Sequence, residues 1–301
     1  MSEIKEKIII DTDIGDDIDD ALAISFAVKS PEIDLIGVTT VWKDTAARAR
    51  LSKRVLQMLG REDIPVYIGS RQPLIGKVDD HEIPNQYSED MDGISVNTER
   101  DAVDYIIDTL MKSEGDISLV TIGALTNIAL AIVKKPEIKN KIKRIVMMGG
   151  AYYFHYNEYN IECDPEAARI VFESGIQIKA VGLDVTLKCQ LTQQDVERIE
   201  HPNSEITQFL SDLIGRWRSI NNYLPILHDP LAVCAVFDKE LLEFKEEKIV
   251  VETKGEFTRG ATHNQTSYRW GNTNPVNSNI WTAKNVDHMK FTKLFMDRVF
   301  G

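Results

Sequence analysis

The chain has 301 residues, 43% hydrophobic and 27% charged, a balance that suits a globular α/β protein with a sizeable core. Its formal net charge of -12 argues against nucleic acid as the main partner, and no apolar run reaches the roughly 18 residues a membrane span needs. Three widely spaced cysteines, Cys163, Cys189 and Cys234, form neither a zinc pattern nor a disulfide framework. The first seven residues hold no apolar signal region, so the expected location is cytoplasmic.

In chain order, apolar runs alternate with helical periodicity. Residues 8–10 read as a strand and 20–29 as a helix. A strand over 33–40 precedes a helix over 46–59 stopped by Gly60, and 66–68 reads as a short strand. After an aperiodic stretch, 71–97, come a helix over 101–111, a strand over 117–122 and a helix over 126–133 ended near Pro136. A strand over 144–148, a helix over 165–173 and a strand over 178–181 follow. This alternation predicts an α/β fold built on a mostly parallel, open central sheet with helices on both faces. The second half predicts helices over 192–201, 205–220 and 230–237, strands over 242–252 and 256–259 as a small hairpin through Lys254-Gly255, and a closing amphipathic helix over 286–299. No repeat, low-complexity tract or composition break marks a linker, so a single domain over 1–301 is expected. A loop as long as 71–97 is usually functional or mobile and is expected to cover the site.

The first strand ends in six aspartates, Asp11, Asp13, Asp16, Asp17, Asp19 and Asp20. Carboxylates crowded at the tip of a buried strand repel one another unless a cation lies among them. Hard oxygen ligands favour calcium or magnesium. Helix capping by Asp19 or Asp20 explains at most two of the six. An EF-hand loop also opens Asp-x-Asp, but it needs glycine at the sixth position where Gly15 is the fifth, and a glutamate at the twelfth that is missing. A haloacid-dehalogenase-type phosphatase shares the strand followed by Asp-x-Asp. In a parallel sheet the ligand site lies beyond the C-terminal ends of the strands. The turns after later strands, Trp42-Lys43-Asp44, Gly123-Ala124-Leu125-Thr126-Asn127 and Gly149-Gly150, therefore gather on the same rim as the aspartates.

Three further patches lie between elements. Residues 152–160 mix aromatic and polar side chains. Glu158 and Asn160 are two apart, so on an extended segment they point the same way and can bond sugar hydroxyls; a solvated loop is an equal reading. Asp164-Pro165-Glu166 has the form of a helix start. His228-Asp229-Pro230 has that form too, with the aspartate as a cap and the histidine either structural or placed to protonate a leaving group.

Together, in order, Asp11-Thr12-Asp13-Ile14-Gly15 with Asp19-Asp20-Ala21, Gly123 to Ala129, Met147-Met148-Gly149-Gly150, Glu158-Tyr159-Asn160-Ile161 with Asp164 to Ala168, and His228-Asp229-Pro230 resemble the inosine-uridine-preferring nucleoside hydrolases. Thr258-Arg259-Gly260 and the last helix extend the resemblance nearly end to end. It implies hydrolysis of the N-glycosidic bond of purine and/or pyrimidine ribonucleosides to ribose and free base, with Ca2+ held by Asp13, Asp20, the Ile122 carbonyl and Asp229. By the same resemblance Asp19 binds the ribose 2′-hydroxyl, Glu158 and Asn160 the other ribose hydroxyls, and Asp44 contacts the sugar. Asp13 takes a proton from the water that attacks C1′, Asp11 supports it from behind, and His228 is the acid for the departing base. The presence of that histidine points to the branch that is not strictly purine-specific. A homodimer or homotetramer is implied, with a small-molecule ribonucleoside as partner and neither nucleic acid nor membrane.

Three departures stand out. The first motif is two residues longer, with Asp16-Asp17-Ile18 between Gly15 and Asp19, so Asp17 can replace or add to Asp19 as a ligand. The asparagine that meets the ribose 5′-hydroxyl has no clear counterpart; Tyr152 or Asn157 stands nearest. Ser88-Glu89-Asp90 stands near the place of a His-Gly pair that many members carry. A catalytically silent nucleoside- or ribose-binding protein of the same fold is the alternative reading. Trp217 and Tyr223 either stack on the base or pack in the core, and Trp270 is expected to pack.

Overall fold

The computed structural model describes residues 5–238, 240–265 and 278–301; Trp270 lies outside them. The strands are β1 (Glu6–Thr12), β2 (Ile33–Thr40), β3 (Val66–Ile68), β4 (Ile117–Thr121), β5 (Ile142–Met148), β6 (Ile178–Val181), β7 (Leu242–Glu246), β8 (Ile249–Val251), β9 (Thr262–Asn264) and β10 (Ile280–Val286). The α-helices are α1 (Asp19–Lys29), α2 (Thr45–Met58), α3 (Ala102–Lys112), α4 (Thr126–Lys134), α5 (Tyr159–Cys163), α6 (Pro165–Phe172), α7 (Leu183–Thr186), α8 (Gln193–Ile199), α9 (Glu205–Ile220), α10 (His228–Phe237) and α11 (His288–Val299).

Eight strands form one sheet in the order β3-β2-β1-β4-β5-β6-β10-β7. All pair in parallel except β7, which runs antiparallel to β10 at the edge. The expected open, mostly parallel α/β fold is therefore present. β1 sits between β2 and β4, and its side chains alternate between two cores. Ile8 and Ile10 belong to the core that includes residues of α1, α2, α9, α10 and α11, while Ile9 joins residues of α3, α4 and α6. A strand buried on both faces reads as a continuous apolar run, which is why Ile8-Ile9-Ile10 shows no alternation. From β1 the chain winds outward to β2 and β3, then returns to β4 on the other side of β1. The crevice between the tips of β1 and β4 is thus the point where the strand order reverses, the usual ligand position in such sheets.

Three expected elements are corrected. The strand over 242–252 is broken: β7 belongs to the large sheet, while β8 pairs with β9 in a separate two-stranded sheet. Glu247 marks the break. Its buried carboxylate accepts hydrogen bonds from Thr282 Oγ1 (2.8 Å) and Tyr153 Oη (2.8 Å), and its amide bonds to the Ile280 carbonyl. Residues 256–260 are a turn, and the return strand is β9. The closing helix starts at His288, not 286, capped by Asp287 accepting from the Lys290 amide at 3.2 Å; the residues before it form β10. No α-helix among the described residues is long and apolar enough to cross a membrane.

Candidate active site

The aspartate run leaves β1 as a loop and enters α1 at Asp19. Ile18 is the N-cap and no side chain caps the helix, so neither Asp19 nor Asp20 serves there as a cap. Both are buried, as are Asp11 and Asp13. Thr12 Oγ1 donates to Asp20 Oδ1 at 2.5 Å and receives the Ile14 amide at 3.1 Å, which fixes the loop on the strand end. Asp229 comes from the first turn of α10. It caps nothing; its own amide donates to Asp19 Oδ2 at 3.0 Å, joining the two helix starts. Carboxylate oxygens of Asp19, Asp20 and Asp229 lie within 4.8 Å of one another.

A cavity of about 760 Å³ opens above this floor, within the size range of small-molecule sites. Asp13, Asp16, Asp17, Asp19, Asp20, Asp229 and Glu158 supply seven lining carboxylates. Ile122, Asn160 and His228 also line it, as do the apolar and aromatic Met148, Phe154, Tyr156, Tyr159, Leu183, Leu187, Tyr223 and Ile226. Asp44 is not among the lining residues. It caps α2, accepting from the Ala46 and Ala47 amides at 3.2 and 3.1 Å. Tyr152 and Asn157 lie outside the lining as well: Tyr152 Oη donates to the Gly149 carbonyl and Asn157 Nδ2 to the Arg259 carbonyl. Trp217 packs in the core edge-on to Tyr223, whose ring reaches the cavity.

Glu158 and Asn160 do not sit on an extended segment. Glu158 is the N-cap of α5, accepting from the amides of Asn160 (2.9 Å) and Ile161 (3.2 Å), and also from Gly150 (2.9 Å). The buried Asn160 amide group donates to the Met148 carbonyl at 3.2 Å. The Gly149-Gly150 turn brings β5 and α5 together here. Gly150 has φ of +82°, and a Cβ on it would lie 2.6 Å from Tyr152 Oη.

The electrostatics are those of buried carboxyls crowded together, for which the charged form is disfavoured. Burial lifts the carboxyls of Asp11 and Asp13 to about 7. Asp19, Asp20 and Asp229 are raised well above the usual range, by burial first and then by the charge of neighbouring aspartates, Asp13 and Asp17 included. Burial also raises Glu158, against the three amides that stabilise its charge. The His228 imidazole is pushed down to about 4 by burial, with Nδ1 2.7 Å from Thr186 Oγ1. An all-oxygen donor set, out of solvent and mutually repulsive, fits a hard divalent cation.

The family model described as inosine-uridine preferring nucleoside hydrolase matches residues 8–293. The chain belongs to that family. A probable uridine nucleosidase 2 of Oryza sativa subsp. japonica is 34% identical over 93% of this chain and 86% of its own length. The pyrimidine-specific ribonucleoside hydrolase RihA of Escherichia coli O1:K1 is 35% identical over 97% of each chain. The solved purine-preferring ribonucleoside hydrolase from Gardnerella vaginalis superposes with a TM-score of 0.84 at 33% identity, covering 98% of each chain. This nucleoside hydrolase, an enzyme of N-glycosyl bonds, thus carries its acidic cavity at the switch point of the sheet.

Several residues around the nucleoside hydrolase cavity belong to no sequence motif, Arg48, Gln86 and Thr186 among them. Arg48, fully buried on α2, donates Nε to the Trp42 carbonyl (2.8 Å), Nη1 to the Asp13 and Ile14 carbonyls and Nη2 to Asp16 Oδ2 (2.8 Å). Gln86, from the long loop, lies on the aspartate loop from outside, and Thr186 bonds His228. For Arg48 a signal exists. It is a charged residue three and seven positions before Leu51 and Val55, on the buried stripe of its helix.

Proposed function

We propose that this nucleoside hydrolase is calcium-dependent and cleaves purine or pyrimidine ribonucleosides to ribose and free base at the floor formed by Asp13, Asp19, Asp20 and Asp229. The observation that carries the reading is the cluster of buried, mutually repelling carboxylates at the switch point, opening into a cavity with amide and imidazole groups on its wall. Asp13, Asp20, Asp229 and the Ile122 carbonyl would hold the ion. When bound, a divalent cation orients substrate hydroxyls and lowers the pKa of water.

The chain's own residues do the rest. Asp13 accepts the proton of the water that attacks C1′, acting as a general base at the cavity floor. Asp19 accepts a hydrogen bond from the 2′-hydroxyl, and Glu158 and Asn160 engage the remaining ribose hydroxyls. The surrounding carboxylates stabilise positive charge as the C1′–N bond breaks and the sugar becomes oxocarbenium-like. Burial favours the neutral His228 imidazole, and we assign Thr186 as the donor to its Nδ1, which puts the ring proton on Nε2, where it is offered to the departing base. The relatives' names divide between uridine, pyrimidine and purine at similar identity. Base choice is therefore assigned to the wall, Phe154, Tyr156, Leu187, Tyr223 and Ile226, and not to the ribose floor.

The experiment is to follow reducing sugar and free base from inosine, uridine, cytidine and adenosine. Release of the two in equal amounts from at least one is expected. No release from any, by a folded protein that binds calcium, leaves a silent binding protein instead.

Calcium stabilisation is expected to depend on pH, and the sign follows from the raised carboxyls. An acid whose folded-state pKa lies above its unfolded value holds its proton more tightly when folded. That stability is complete below about 3.8 and is lost as pH rises through the folded value, about 7 for Asp13. The cation-free protein therefore weakens over that interval, while calcium, which binds the ionised form, stabilises more. The rise in Tm on adding saturating calcium should be larger at pH 8 than at pH 5 by at least about 5 °C. Equal increments at the two pH values would remove the carboxylates from the metal site.

A further inference from the structure

The loop between β1 and α1, residues 13–18, has no strand or helix to satisfy its main chain. Two side chains and one amide from elsewhere do so. Arg48 takes the carbonyls of Asp13 and Ile14. The Gln86 amide donates to the Gly15 carbonyl at 2.9 Å, and Gln86 Nε2 to the Asp17 carbonyl at 2.5 Å. Arg48 also reaches the Trp42 carbonyl, at a turn where Trp42 and Lys43 both hold positive φ, 73° and 56°. One guanidinium therefore ties the loop after β1 to the loop after β2. Its charge is met by Asp16, which together with Asp17 is what the lengthened motif adds. A planar, five-donor guanidinium can serve carbonyls and a carboxylate in fixed directions; an ammonium cannot.

We infer that Arg48 is a positioning residue for the aspartate floor: held on Asp16, it fixes the main chain at Asp13 and thereby sets the affinity of the floor for a divalent cation. This makes Asp16 the anchor of Arg48 and not a metal ligand. A purely electrostatic role makes the opposite forecast. A buried positive charge beside a cation site repels the cation, so its removal should tighten binding.

The inference rests on the calcium reading for one of its two tests. Calcium binding by nucleoside-free protein, measured by calorimetry, should weaken at least tenfold in both Arg48→Lys and Arg48→Met. Affinity unchanged in Arg48→Lys, or equal or tighter in Arg48→Met, overturns the proposal. The second test needs no metal. In cation-free protein, hydrogen exchange at the Ile14 and Ile18 amides, which bond Thr12 Oγ1 (3.1 Å) and Asp17 Oδ1 (2.7 Å), should speed up at least tenfold in Arg48→Met while amides within α2 keep their protection. Unchanged exchange overturns the proposal. If the wild type binds no calcium, the metal reading fails and the exchange result alone decides on Arg48. Should neither Arg48 variant fold, Asp16→Asn takes their place at a half-buried position. It should raise exchange at the same two amides at least threefold, and no change there overturns the proposal.

Discussion

Asp13→Asn is expected to lower kcat for nucleoside hydrolysis by at least about a thousandfold, with the fold intact. The amide replaces the carboxylate almost isosterically in a site that already disfavours charge, so burial itself does not oppose the change. Asparagine cannot take a proton from the attacking water, and a positioned base contributes roughly 10² to 10⁴ in rate. It also offers the cation one anionic oxygen fewer. Both losses fall on the transition state, so kcat should drop more than KM changes. Asp11→Asn is the comparison. Asp11 Oδ1 accepts from Thr39 Oγ1 (2.5 Å) and Asn127 Nδ2 (2.8 Å), and Asp11 is not among the cavity-lining residues. Its substitution should cost much less. Steady-state kinetics of the two variants at saturating calcium check this; an Asp13→Asn enzyme within tenfold of wild type would contradict the assignment of the base.

The second large effect is expected at His228, and it should depend on the leaving group. His228→Ala should lower kcat/KM by about a hundredfold with inosine or uridine, whose bases leave poorly as anions. With 4-nitrophenyl riboside, whose phenolate departs unaided, the loss should be under about fivefold. A neutral, half-buried imidazole that donates a hydrogen bond to the base accounts for such a split. An equal loss on both substrates would make His228 a structural partner of Thr186 only.

The floor of the site was legible because six aspartates at the end of an all-Ile strand have no packing explanation. The sheet was legible because apolar runs and helical periodicities alternate, and because short connections leave few topologies. What stayed hidden depends on contacts across the fold. β10 follows no periodic helix and pairs with β6 and β7, strands about 100 and 40 residues earlier. The break at Glu247 comes from a carboxylate that is buried only once Thr282 and Tyr153 surround it. Arg48 sits in a helix that also carries Arg50, Lys53 and Arg54, so by composition it reads as solvated; its spacing to Leu51 and Val55 puts it on the buried stripe, but its partners, the Asp13 and Trp42 carbonyls, come from elsewhere in the fold. Glu158 and Asn160 were placed in the cavity by the right residues on the wrong backbone. A spacing of two predicts an extended segment; in the structure both stand at the first turn of a helix, where they still line the same space.

Asp16 and Asp17 show the limit most clearly. As charges they are indistinguishable from the aspartates beside them. The structure separates them by partner: Asp16 faces the Arg48 guanidinium, and Asp17 bonds the Ile18 amide while its carbonyl receives Gln86.

The acidic floor is expected to cleave ribonucleosides only when loaded with a divalent cation. This is tested most directly by stripping the protein with a chelator, removing the chelator, and measuring ribose release from inosine and uridine before and after calcium is returned. At least about a hundredfold loss is expected on stripping and recovery on adding calcium, with no recovery in Asp229→Ala. Full activity in the stripped protein, or calcium-restored activity in Asp229→Ala equal to wild type, would contradict it.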